Sequence, residues 1–168
     1  MTLVSTEPTT IELPDLKLVG ACSFANYFEN NQQVLFGETW QRLHEVKLDN
    51  SLLANPKRSF ALELYPPSFP KDHRWYYSAC VEVKSFEAVY PSNMMFRFIP
   101  AAEYLKFTVK GPVTEVGPAF RQLYDSWLPT AGVKLKGYYD MEMYDEGFTD
   151  PCDPESIMHI LLPLAGIV

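Results

Sequence analysis

The segment Met141-Glu142-Met143-Tyr144 sets one carboxylate among apolar and aromatic neighbours, a combination suited to holding a cation or handling a proton. Successive side chains of a strand point to opposite faces. Asp140, Glu142 and Tyr144 therefore share one face, and Met141 and Met143 share the other. The methionine face is expected to pack on the preceding helix, leaving the glutamate face looking away from it. Burial of Glu142 would disfavour its charged form, and a cationic ligand would compensate that charge. Leu62-Glu63-Leu64-Tyr65 repeats the pattern, again with apolar residues on the face opposite the glutamate.

Positioning these residues requires regular elements, and two similar sets can be read. A strand is expected within Ile11–Phe24, after the Leu13-Pro14-Asp15 turn, and a helix over Asn30–Leu48. Phe36, Trp40 and Leu43 give that helix an amphipathic stripe, and Asn30 or Asn31 is placed to cap it. Strands follow at Ser59–Tyr65 and Trp75–Lys84, joined by a polar loop. Residues 1–10 read as a loose polar lead-in, and the loop from Asp49 to Arg58 carries no legible pattern.

The second set has strands at Met94–Ile99 and Glu103–Lys110, then a helix over Thr114–Leu128. Pro118 confines the regular part of that helix to begin near Gly117, and Pro129 with Gly132 ends it. The Glu142 strand, an acidic loop and a strand at Ile157–Leu164 complete the set. Each half is thus strand, helix, strand, strand, with Glu-x-Tyr in the strand after the helix. The expectation is one α+β domain over residues 1–168, with repeats of about 11–90 and 94–168. Duplicated β-α-β-β units would form an antiparallel sheet, with two main helices on one face and a ligand cleft between the repeats.

Composition narrows the function. With 168 residues, 47% hydrophobic and 21% charged, the chain reads as one soluble globular domain. Ten tyrosines suit a pocket whose walls are apolar and whose rim is wet. A net charge of -7 without a basic cluster argues against a nucleic-acid surface. Cys22, Cys80 and Cys152 form no CxxC pair and read as reduced thiols, and His44, His73 and His159 match no ligand spacing. No metal or cofactor is expected. The acidic loop from Asp145 to Glu155 lacks a calcium-loop order and reads as a solvated hairpin connection. The N-terminus lacks signal-peptide features and no stretch is long enough to span a membrane, so a cytoplasmic chain is expected.

KGPVTEVGPAFRQLYDSWLPTAG (110–132), YYDMEMY (138–144) and MHILLPL (158–164) together resemble the GyrI-like domain. The resemblance rests on Gly111-Pro112 after a strand, Trp127-Leu128-Pro129 with Gly132, Glu142-x-Tyr144, and Leu162-Pro163-Leu164 in a closing strand. It is close in the second half and follows only the outline of the first. That family includes gyrase-inhibitory proteins and the effector-binding domains of bacterial multidrug-responsive and AraC-type regulators. The resemblance implies an amphipathic, cationic or aromatic small molecule bound in the cleft, with Glu142 among aromatic rings. A chain of 168 residues leaves no room for a helix-turn-helix domain, so a stand-alone binding protein is expected, acting on transcription only through another protein.

The candidate ligand-binding residues are Glu142, Tyr144 and Tyr139, with Glu63, Tyr65, Trp75 and Tyr77 as counterparts in the first half. Trp75, Tyr76 and Tyr77 must divide between two faces, and the sequence does not say which reaches the ligand. Phe36, Trp40, Phe120 and Trp127 read as packing. Two alternatives stay open. Some family members are hydrolases that open strained cyclopropane rings, and Glu142 would then handle the water, although only one carboxylate is evident. The acidic loop could instead meet a basic protein partner, as in the gyrase-inhibitory relatives.

Overall fold

Pro14 cannot donate to a strand ladder, and the chain breaks there into β1 (Thr9–Leu13) and β2 (Leu16–Asn26). Asp15 closes the break by accepting a hydrogen bond from the Ala101 amide at 2.7 Å. The computed structural model describes residues 7–29 and 31–167; the first part of the expected lead-in and Asn30 lie outside them. Thr9 and Thr10, expected to be loose, are strand, because their backbone pairs with Lys106 and Leu105. Nothing local to so polar a stretch announces that pairing.

The described residues form an α+β fold of antiparallel strand pairs with few helices, divided into two compact units. The N-terminal unit, Pro14–Ala101, runs β2, α1 (Gln32–Val46), β3 (Ser59–Leu64), α2 (Phe69–Asp72), β4 (Arg74–Glu82) and β5 (Met95–Ile99). Its strands lie in the order β3-β4-β2-β5, all antiparallel. Asn31 stands at the N-cap of α1 but makes no side-chain capping bond, and Lys47 closes the helix in the left-handed conformation. The helix packs on the face of β2 that carries Val19 and Ala21, and Leu43 joins Ala79, Val83 and Met94 in that core. The short helix α2 stands where a polar loop was expected, since Pro70 in its first turn removes a donor that would be unsatisfied anyway.

Gly20 marks the closest backbone approach in this unit. A Cβ there would lie 1.9 Å from the carbonyl oxygen of Ala79, so only glycine lets β2 and β4 pair at that point.

The C-terminal unit combines the chain up to Leu13 with everything from Ala102 on. It adds β6 (Ala102–Lys110), α3 (Val116–Gln122), β7 (Val133–Leu135), β8 (Tyr139–Tyr144) and β9 (Ile157–Ile167). The order is β1-β6-β9-β8, with β7 also on β9. The expected helix over Thr114–Leu128 is irregular: a 3₁₀ turn, α3, a π-helical segment at Leu123–Trp127, and a final 3₁₀ turn at Leu128–Thr130. Pro118 falls in the first turn of α3, where it does no harm, and Gly132 follows the helical run at φ 63°.

Candidate ligand-binding site

Every residue of β8 is buried, so burial alone does not distinguish its faces. Strand pairing does. Glu142 lies opposite Ile160 of β9, and Ile160 lies opposite Phe107 of β6. The Phe107 ring meets Trp127 of the π segment edge-on, with centroids 4.9 Å apart. Asp140, Glu142 and Tyr144 therefore face the helical segment, and the methionines face away from it, the reverse of the expectation. Both faces of β8 are buried, one apolar and one carrying two carboxylates. Only the register with Phe107 decides which one the helix covers.

Two acid–phenol pairs occupy this face. The Tyr144 hydroxyl donates to Oε2 of Glu142, and its ring meets Phe148 edge-on at 4.8 Å. The Tyr124 hydroxyl, carried by the π segment, reaches both carboxylate oxygens of Asp140 at 2.9 and 2.8 Å. Asp140 and Glu142 are 1% and 6% exposed, so the face holds two buried carboxylates where one was anticipated. The signal was present in the sequence as an acid two residues before Glu142; its partner Tyr124 was not legible there. Tyr139 is not brought to this face. Its hydroxyl pairs with that of Tyr104 at 2.8 Å on the opposite side of the sheet, and burial pushes both phenols above their ordinary pKa.

The N-terminal unit repeats the arrangement with more rings. Tyr65 donates to Oε2 of Glu63 at 3.1 Å. Glu63 lies opposite Tyr77, and Tyr77 opposite Ser23, whose hydroxyl is 2.6 Å from that of Thr39 on α1. This carboxylate also faces its helix. Tyr77 stacks on Phe36 at 4.0 Å and accepts a hydrogen bond from Nε1 of Trp40 at 2.9 Å. Trp75 shares the face, flanked by Phe36 at 6.4 Å and Phe69 at 6.2 Å, while Tyr65 packs on Phe69 at 4.8 Å. Tyr76 turns the other way, onto Phe24. Trp75 and Tyr77 are thus the members of the aromatic run that accompany Glu63. Phe36 and Trp40, expected as packing alone, also build this wall, and Phe69 was missed.

A family model described as the GyrI-like small molecule binding domain matches residues 6–165. The chain belongs to the GyrI-like family. It is 27% identical over 154 residues to the transcriptional regulator BrlR of Pseudomonas aeruginosa, covering 92% of this chain and 54% of BrlR. The chain thus spans about half the length of that regulator. Among solved structures, SAV2435 bound to tetraphenylphosphonium has a TM-score of 0.73 at 17% identity, covering 95% of this chain and 94% of that one. The EcmrR C-terminal domain has a TM-score of 0.67 at 17% identity, covering 96% and 98%. These structural likenesses carry the fold.

Away from the acid–phenol faces, the GyrI-like chain offers less chemistry. His159 is held between the Thr108 hydroxyl, 3.1 Å from Nδ1, and the Asp145 carboxylate, 3.4 Å from Nε2, on the methionine side of the sheet. Burial lowers its pKa, and Asp145 opposes that shift. The acidic loop is tied internally: Asp145 accepts from the Gly147 amide, and Thr149 bonds Asp153 and Ser156. Among the described residues no cluster of His, Cys, Asp and Glu could hold a metal ion, and no helix is long and apolar enough to cross a membrane. The three cysteines are all free.

Proposed function

We propose that this GyrI-like chain binds a lipophilic aromatic cation, with Glu142 and Asp140 supplying charge and Tyr144, Tyr124 and the neighbouring rings supplying shape. The observation that carries the reading is the pair of buried carboxylates, each held by a phenol, on the helix-facing side of β8. Burying a carboxylate is costly unless it is hydrogen-bonded or paired. Two on one face create a negative potential that a delocalised cation satisfies at little desolvation cost of its own. Aromatic faces add about 0.5 to 2 kcal/mol per ring through cation–π attraction. The binding of tetraphenylphosphonium by SAV2435 supports the choice of cation.

Calorimetry with tetraphenylphosphonium tests this. Glu142→Gln keeps the shape and removes the charge, and is expected to weaken binding about tenfold or more, as for loss of a charged hydrogen-bonding group. Equal affinity for a neutral tetraaryl analogue would remove charge recognition from the account.

A hydrolytic reading gains one specific observation: Asp140 provides a second carboxylate beside Glu142, and paired acids in different environments can divide acid and base roles. Incubation with a cyclopropyl-dienone compound, followed by mass spectrometry for addition of one water, separates the two. Product that disappears in Glu142→Gln would make the chain a hydrolase.

A further inference from the structure

Two tryptophans of the N-terminal unit, Trp75 buried and Trp40 partly buried, are treated differently by the fold. Trp40 donates its indole N–H to the Tyr77 hydroxyl at 2.9 Å. Trp75, only 6% exposed, has a buried Nε1 that finds no hydrogen-bond acceptor among the described residues. An indole N–H is a donor only and cannot be satisfied by changing its protonation. Leaving such a donor unmet in the interior is costly, and buried donors without a partner are uncommon.

The surroundings of Trp75 are those of a ligand wall. Phe36 and Phe69 flank it, and Tyr77 and the Glu63–Tyr65 pair share its face. From Phe69 the rings continue through His73 to Phe28 and Tyr27, both exposed, so the aromatic path runs from the buried indole to solvent. A wall of this kind accepts a flat aromatic group. Rings alone give no orientation. The indole N–H is the polar group that supplies it, as the few polar groups of an otherwise apolar site do.

We infer that the N-terminal unit holds an aromatic subsite selective for compounds bearing a hydrogen-bond acceptor, with the acceptor atom taken by Trp75 Nε1–H. This rests on the reading that the chain binds a lipophilic cation, and adds a requirement that tetraphenylphosphonium itself does not meet.

A matched pair of probes isolates the requirement: (4-acetylphenyl)triphenylphosphonium, which carries a carbonyl oxygen, and (4-isopropylphenyl)triphenylphosphonium, which has the same charge, rings and outline without it. Calorimetry on the full chain should show the acetyl compound preferred about tenfold, the scale of one hydrogen bond to a buried donor. In Trp75→Phe, which keeps an aromatic ring and removes the N–H, the ratio should fall to about one. A second readout uses the native chain alone. Of its three tryptophan indole N–H resonances, one should move downfield with the acetyl compound and not with the isopropyl compound. Assignment through Trp40→Phe and Trp127→Phe identifies it as that of Trp75. Equal affinities in the native chain, a preference that survives in Trp75→Phe, or no selective indole shift would each overturn the subsite. Failure of both compounds to bind would instead overturn the cation-binding reading on which it stands.

Discussion

The two units share a strand plan and differ in what fills it. In the N-terminal unit Glu63 lies beside Tyr77 and then Ser23; in the C-terminal unit Glu142 lies beside Ile160 and then Phe107. The large ring has moved one strand along, and a small or aliphatic residue has taken its former place. Two residues before each glutamate stand Ala61 and Asp140, so one unit has a single carboxylate on this face and the other has two. The helices diverge accordingly. Regular α1 lays Phe36 on Tyr77, whereas the π segment after α3 widens its turn and carries Tyr124 to Asp140. One duplicated frame therefore supports a ring-rich face and an acid-rich face. The preserved feature is the glutamate with the tyrosine two residues on.

The sharpest break in the comparison comes at Gly20, whose counterpart in the other unit by strand register is Tyr104. Gly20→Ala forces a Cβ against the Ala79 carbonyl and should cost about 3 kcal/mol, the upper end for overpacking. Urea denaturation measures it, and an unchanged midpoint would mean that β2 and β4 separate there without penalty.

The acid-rich face should dominate charge recognition. Asp140→Asn and Glu142→Gln are each expected to weaken tetraphenylphosphonium binding about tenfold, near the lower end for a lost hydrogen bond to a charge. Glu63→Gln should weaken it only about threefold, the scale of an ordinary hydrogen bond. Equal losses at Glu63 and Glu142 would show that the extra carboxylate of the C-terminal unit is irrelevant to binding. Tyr144→Phe leaves the Glu142 carboxylate without its phenol donor and should destabilise the fold by about 1 to 3 kcal/mol, read from thermal unfolding.

The pH response should also belong to the C-terminal unit. Burial holds the His159 pKa below its unfolded value, with Asp145 pulling up and Lys106 pushing down. As pH falls through the unfolded value of 6.5, the unfolded chain takes up the proton first, so this contribution to stability is full above that pH. It is lost as pH drops toward the folded pKa, at a rate below about 1.4 kcal/mol per pH unit. His159→Gln should flatten that part of the profile. The N-terminal unit has Tyr76, not a histidine, at the matching place.

The smallest effect is expected at the exposed Lys110–Glu155 pair, 2.6 Å apart. Lys110→Ala should change stability by no more than about 0.5 kcal/mol, the usual size for a surface ion pair. A larger loss would mark the acidic loop as a structural element of its unit.

Much of this was legible in the chain. The recurrence of Glu-x-Tyr after a helix, the punctuation by Pro66, Pro118 and Pro129, and the ring stripe of α1 are local patterns, and local patterns set element type and the alternation along each strand. Alternation placed Glu142 and Tyr144 together, and their hydroxyl–carboxylate bond follows from that spacing. The sequence could not say which face of β8 meets the helix, because that depends on Phe107, thirty-odd positions away, arriving opposite Ile160. Nor could it pair Tyr124 with Asp140 or separate Tyr139 from Glu142. It could not show that Thr9–Leu13 would pair with β6, or that Trp40 would find an acceptor and Trp75 none. Each of these depends on strand register or helix geometry. Both are settled by the packing of residues distant in the chain, which no local run of side chains encodes.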